Sequence, residues 1–476
     1  MIRDRGLRHW LPTYLWETLR RREARAARRR GVTHILFLVC DHFEPRHGIS
    51  DERQPAARLR AWHAGFKELQ QECFARYGLR PVHTWFYPPH HGDDHLSALA
   101  RMAFEGLGEV ELHYHHDGDT AETLREALRQ TLARYHSAGL LTQLGDPPGR
   151  RFGFIHGDWA LDNSAGGRFC GVNDELSLLE GLGCWADLTM PSTNECQTRK
   201  INSIYYAVGD PRRSKSHDWG VDARAGNSGA RGLMLIQGPI ALRFDGGLRP
   251  RVENASLTSN NWGSPARIRS WIDCHVHVRG RPEWLFVKLH THGAIESDFD
   301  ALFGERARRM HRALAEQYND GRIFRIHYVT ARQAYNLARA AESGAEGDPA
   351  AFLDFEVPPQ ATSVYWTNAA HRAVSCTGAR LTLEGMESAE STVVELRHAG
   401  IESVSGRVRA LDLAADRALI RLHPDGIRLR LSEGTRIAGL SSGRILRESS
   451  AGELLLGGSS EIAVTLGAVD RAAGAK

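Results

Sequence analysis

What most limits the fold of this chain is a change of hydrophobic period along it. Short apolar runs alternate with helical spacings from residue 34 to about 340, and past about 355 only short alternating segments remain. HILFLV (34–39), VHTWFY (82–87), VEL (110–112), FGFI (152–155), CWADLTM (184–190), GLMLIQG (232–238), WLFVKLH (284–290) and residues 323–329 are predicted strands. Helices are predicted near 59–69, 94–105, 120–135, 174–182, 265–275, 298–317 and 330–342. Alternating units of this kind imply a parallel sheet with crossover helices, and this many imply a barrel more than an open sheet. SGAEGDP (343–349) and VPP (357–359) mark a boundary. SVYW, RLTLEG, TVVELRH, RVRALDL, RALIRLH, IRLRL and ELLLGG follow, and read as a small antiparallel β-domain of sandwich type. The expected organisation is a basic N-terminal helix (1–31), an α/β domain folded as a distorted (β/α) barrel (32–345) and an all-β domain (355–476).

Composition narrows the function. Mean hydropathy is −0.40 and no apolar run approaches the length of a membrane span. Ten Arg against three acidic residues crowd positions 1–30, leaving 51 basic and 54 acidic residues for the rest, so the body is not a nucleic-acid binder. Leu11, Leu15 and Leu19 with the following Arg residues read as an amphipathic helix over 10–30. It is expected either to dock on an anionic membrane face or to pack on the barrel. Seven scattered Cys without a CxxC spacing argue against disulfides and against a thiolate zinc site. With no signal sequence evident, a cytoplasmic protein is expected.

The 24 His carry the chemical information, since all but His371, His398 and His423 lie before residue 350. Polar residues follow the predicted strands, at the edge where parallel α/β folds place their sites. CDHFEP brings Asp41, His42 and Glu44. ELHYHHDGD brings His113, His115, His116, Asp117 and Asp119. IHGDWALDN brings His156, Asp158, Trp159, Asp162 and Asn163, and LHTHG brings His290 and His292. Imidazole and carboxylate at four separate strand ends are what a divalent-metal site with a general acid and base requires. PPHHGDDH (88–95) lies at a helix start and reads as caps or rim groups, and His275 and His277 as structural.

These motifs resemble the polysaccharide deacetylase superfamily of carbohydrate esterase family 4 type, over about residues 32–340. EVELH (109–113) is similar to the run before that family's first ligand His, and KLHTH (288–292) to its last motif. The resemblance implies a distorted (β/α) barrel, a bound divalent metal (zinc foremost) and a carbohydrate substrate. Carried over by position, it makes His42, His113 and Asp117 the metal ligands, Asp41 the base and His290 the acid. A looser register takes Asp41 or Glu44 with His113 and His115, which project from one side of an extended segment. The chain departs from the family where Asp-Asp becomes Asp41–His42, where the second ligand His becomes Asp117, and where HGDW (156–159) replaces Arg-x-Pro-Tyr.

The expected activity is therefore metal-dependent removal of acetyl groups from a sugar or polysaccharide. His156, Asp158, Trp159 and His292 are expected to bind substrate, with Trp219 and Trp262 as further stacking surfaces. Two alternatives stand: a glycosidase using a carboxylate pair such as Asp41 and Asp158, and a glycan-binding protein that has lost catalysis.

Overall fold

A computed structural model describes residues 6–27, 31–144, 149–244 and 250–360, then 364–366, 373–377, 380–384, 392–398, 401–413, 417–431, 435–448 and 453–468. The fold is mixed α/β, with a large parallel-rich sheet and a separate antiparallel sheet region.

The first strand organises the large sheet. β1 (Thr33–Phe43) is buried at every position, as expected of a central parallel strand covered on both faces. β12 (Trp284–Gly293) pairs with it from His34↔Trp284 to Phe43↔Gly293. The other edge is shared, first by β13 (Phe324–Tyr328) and then by β2 (His83–Tyr87). From β2 the sheet runs through β3 (Gly108–Tyr114), β5 (Gly149–His156), β6 (Cys184–Asp187) and β9 (Leu233–Ile236), all parallel. Two strands that the sequence does not announce, β7 (Ile204–Ala207) and β8 (Val221–Asp222), finish it antiparallel. The short β4 (Thr142–Leu144) and the separate hairpin of β10 (Ala241–Arg243) and β11 (Arg251–Glu253) were likewise hidden by their brevity.

The helices follow the apolar spacing. α2 (Gln54–Tyr77) buries Leu59, Trp62, Phe66, Leu69 and Cys73, and stops at Gly78, whose φ of 68° permits the left-handed cap. α9 (Ala331–Glu342) begins with a full capping box between Thr330 and Gln333. The remaining helices are α3 (Leu96–Phe104), α4 (Ala121–Ser137), α5 (Glu175–Gly181), α6 (Pro265–Cys274), α7 (Phe299–Leu302) and α8 (Glu305–Tyr318). The N-terminal helix α1 (Leu7–Ala27) is packed at its start, while Leu15 and Trp16 are exposed. Trp10 is fully buried with Ile201 and Ile240, and Glu17 pairs with Arg279 at 3.2 Å. The arginines at 20–25 and 28–30 fall outside the described side chains, and nothing here supports a membrane contact. Among the described residues no helix is long and apolar enough to cross a membrane.

The chain forms two compact units. The first comprises residues 1–95, 106–131 and 151–357 and holds the predicted site. The second joins residues 358–476 to 96–105 and 132–150, two segments from inside the range expected to be catalytic. Its strands, from β14 (Val364–Trp366) and β15 (Ala373–Thr377) onward, form one ten-stranded antiparallel sheet. Ile401, Val404, Leu411, Ile420, Leu429 and Ile462 are among the residues of its core.

Candidate metal centre

The strands run further than the apolar runs that predict them, and this decides which side chains meet. β1 continues through Cys40, Asp41, His42 and Phe43, so neighbours in CDHF point to opposite faces. His42 shares the face of Leu36, Leu38 and Cys40. By register, His290 and His292 on β12 and His113 on β3 join it there. The ring of His42 lies 4.8 Å from that of His113, 5.0 Å from His292 and 5.9 Å from His290.

Asp41 faces the other way. Its carboxylate is fully buried and abuts Gly293, where any side chain would collide with it. Its nearest ionic neighbour is His83 at 3.9 Å, and the His83 ring rests on Phe66 of α2. Burial pushes the Asp41 carboxyl up, against the pull of His83. Asp41, expected as the catalytic base, thus lies on the opposite face of the strand from His42, His113 and His290.

The residues that could hold an ion are those of the looser register, with Glu44 as the carboxylate. Glu44 Oε1 lies 3.2 Å from His115 Nε2 and 3.7 Å from His113 Nε2, and the two imidazole nitrogens are 3.0 Å apart. Glu44 Oε2 reaches His292 Nδ1 at 3.4 Å. The nitrogens facing away are engaged. His113 Nδ1 is 2.9 Å from the Ile155 carbonyl, which only accepts, so that nitrogen carries the proton and Nε2 presents a lone pair. His115 Nδ1 bonds the Asp158 carboxylate at 3.2 Å. With both rings neutral, two Nε2 lone pairs and a carboxylate oxygen converge, a donor set that could hold a divalent cation, and an outer carbonyl and carboxylate fix the rings. Burial opposes charge on Glu44, but the surrounding His113, His115 and His292 favour it and hold the carboxyl well below its usual range. Arg58 of α2 steadies the loop after β1 by donating to the Pro45 and His47 carbonyls.

Asp117 is not part of this set. It is exposed and accepts the Phe169 backbone N–H at 2.7 Å, because the chain turns away from the sheet after Tyr114. Of the expected set His42, His113 and Asp117, only His113 belongs to the group that could hold an ion, with His42 beside it.

Over the cluster lies the loop HGDWALDN. Asp158, Trp159, Asp162 and Asn163 have φ between 53° and 58°, a density of left-handed non-glycine residues found where a surrounding structure enforces it, often at sites. The indole of Trp159 sits 6.1 Å from the rings of His42 and His290 and 5.9 Å from His292. Gly157 is needed here because a side chain would enter the His115 ring. The site stays open: the His115, His292 and Asp158 side chains are 30%, 34% and 48% exposed. His90 stands 5.1 Å from His115, and His91 and His95 of the same motif are buried. Beneath, the buried Lys288 donates to the Leu188 and Met190 carbonyls.

His156, expected at the substrate surface, is fully buried and belongs to a second group with His116, Cys170 and Glu175. Sequence reasoning passed over Glu175, read only as a helix start, and Cys170, dismissed for want of a second Cys nearby. A third group, His34, His327 and Asp348, lies at the opposite end of β1. Trp219 and Trp262 stack under Arg199 and Arg309 and are not among the rings packed on His42.

Comparison with family models, with curated proteins and with solved structures returned no match.

Proposed function

We propose that the protein is a metal-dependent hydrolase that removes acetyl groups from a carbohydrate, its parallel strands arranged as a distorted barrel and its second unit as a sandwich-like module. The convergence of Glu44, His113 and His115 at an open strand edge carries this reading. Three protein ligands with further positions left free suit a catalytic ion, and the mixed imidazole and carboxylate donors suit zinc. When bound there, such an ion polarises an acyl carbonyl and makes water acidic enough to attack at neutral pH.

The chain's own groups do the rest. His42 is buried with an unpartnered Nε2 beside His113, and accepts the proton of the attacking water. His290 has an unpartnered Nδ1 on the same face, and returns a proton to the amine or alkoxide as the acyl bond breaks. Trp159 and the partly exposed His292 form the surface on which a sugar ring rests. A glycosidase pair of Asp41 and Asp158 is disfavoured, since Asp41 is sealed behind the sheet.

The test is acetate release from N- and O-acetylated oligosaccharides by zinc-loaded and chelated protein, with chromogenic glycosides alongside. Zinc-dependent acetate release is expected. Glycoside cleavage independent of metal, or no acetate from any acetylated sugar at full metal loading, would sink the proposal.

A further inference from the structure

Beside the open centre lies a closed one. His116 follows His115 directly, but its ring turns to the other side and meets His156 from the end of β5 and Glu175 from the start of α5. The three relevant atoms crowd together. His116 Nε2 is 2.9 Å from His156 Nε2 and 3.1 Å from Glu175 Oε1, and His156 Nε2 is 3.4 Å from the same oxygen. The Cys170 sulfur lies 3.6 Å from Glu175 Oε2, and all four groups offer a ligand atom within 4.8 Å of the others.

Hydrogen bonding fixes what these atoms present. His156 Nδ1 sits 2.6 Å from the Gly157 carbonyl, which can only accept, so the proton is on Nδ1 and Nε2 is a lone pair. His116 Nδ1 is held at 3.0 Å by the Asp119 carboxylate. Glu175 Oε2 is already taken by the Asp162 N–H at 2.7 Å, leaving Oε1 to the centre. Two imidazole lone pairs and a carboxylate oxygen would repel one another in a space without water access. A proton on His116 relieves part of this. A metal ion relieves all of it and takes the Cys170 sulfur, which otherwise contacts Glu175 Oε2 and the Val172 backbone, as a fourth ligand.

We infer that His116, His156, Cys170 and Glu175 form a second metal site, structural in kind and selective for zinc or a similar first-row ion. Four ligands from imidazole, thiolate and carboxylate complete a tetrahedral shell, and soft sulfur disfavours magnesium or calcium. The contrast in exposure separates the two centres. The His115 side chain is 30% exposed, whereas His116 is 3% and His156 and Glu175 are 0% exposed. The ligands also explain the strained loop. His156 and Glu175 bracket residues 157–174, Cys170 lies within them, and the Cys170 carbonyl is bonded by the Asp119 N–H at 3.0 Å. An ion here clamps the loop that delivers Asp158 to His115 and Trp159 to His42. The inference does not depend on the deacetylase reading.

Metal analysis of the full-length protein, chelated and reloaded with zinc or cobalt(II), tests it. About two equivalents per chain are expected, falling to about one in Glu175→Gln and, separately, in His113→Ala. The cobalt form should show a thiolate-to-cobalt charge-transfer band, present in His113→Ala and absent in Cys170→Ser. A wild-type protein that takes up no metal, or whose cobalt form lacks a thiolate band, overturns the assignment whether or not the variants fold, whereas a single equivalent that keeps the band and is lost in Glu175→Gln upholds it and counts against the open centre alone. A Cys170→Ser protein that keeps the band also overturns it. Activity enters none of these readouts, so failure of the hydrolase proposal leaves them standing.

Discussion

At the scale of single residues, Asp41 and Glu44 differ by three positions and have opposite fates. Glu44→Gln should strip the open centre of metal and abolish turnover, because its oxygens are what hold two imidazoles and His292. Asp41→Asn should leave both metal content and turnover near wild type. It should instead alter the pH dependence of stability. A carboxyl raised in the folded state binds protons that the unfolded chain has released, so wild-type stability is fullest below the ordinary aspartate pKa of about 3.9 and declines as pH rises toward the raised value. Denaturant unfolding from pH 4 upward should show a flatter profile in Asp41→Asn. Loss of metal or activity in that variant would return Asp41 to the site. Asp158 acts through His115, and Asp158→Gly keeps the left-handed backbone while removing the acceptor. Metal affinity at the open centre should fall about 10- to 100-fold, as for other outer partners of ligating His, measured by competition with a chromophoric chelator. No change would mean that His115 is oriented without it.

The same residues show where sequence reading succeeds and stops at the scale of elements. Long apolar runs locate β1, β2, β3, β5 and β12, and strand pairing carries their polar ends to one edge. The parity of those ends was not legible, because CDHF and LHTHG look like loop starts and prove to be strand. Once the strand is known to run on, period-two alternation sends Asp41 outward and keeps His42, His290 and His292 together. His113 and His115 were readable as a same-side pair, since they are two apart in an extended segment. Glu175 and Cys170 were not, because nothing local signals that a helix start and a loop thiol return to His116. The loop at 157–163 offers a test of how tightly elements position this chemistry. Gly157→Ala adds one methyl where the His115 ring lies, so the ring or the loop must shift. Turnover should fall at least about 100-fold, as 1 Å misplacements do, while the cobalt–thiolate band persists with its ligands unchanged. Wild-type turnover in Gly157→Ala would show that this close approach is not needed.

At the scale of the whole molecule, the division into units does not follow the order of the chain. α3 and β4 come from the first third of the sequence, yet α3 lies against β14 and β4 against β15 in the second unit, where the Thr142 hydroxyl donates to the Pro358 carbonyl. α3 buries Leu96, Leu99, Met102 and Phe104 in the intact protein. A chain ended at Val357 keeps every proposed metal ligand but strips these segments of their sheet. Exposing large apolar side chains costs about 1.5–3 kcal/mol each when exposure is complete, so even partial exposure of several exceeds the margin of an ordinary domain. The fragment 1–357 should therefore melt well below the full chain, bind a hydrophobic dye and self-associate, although its ligands are all present. Restoring residues 358–476 as a separate polypeptide should reverse part of this if the second unit assembles from its pieces. A monomeric fragment with the melting temperature and metal content of the full protein would show that α3 and β4 need no partner from the C-terminal sheet, and that the boundary read from composition near residue 350 is also the physical one.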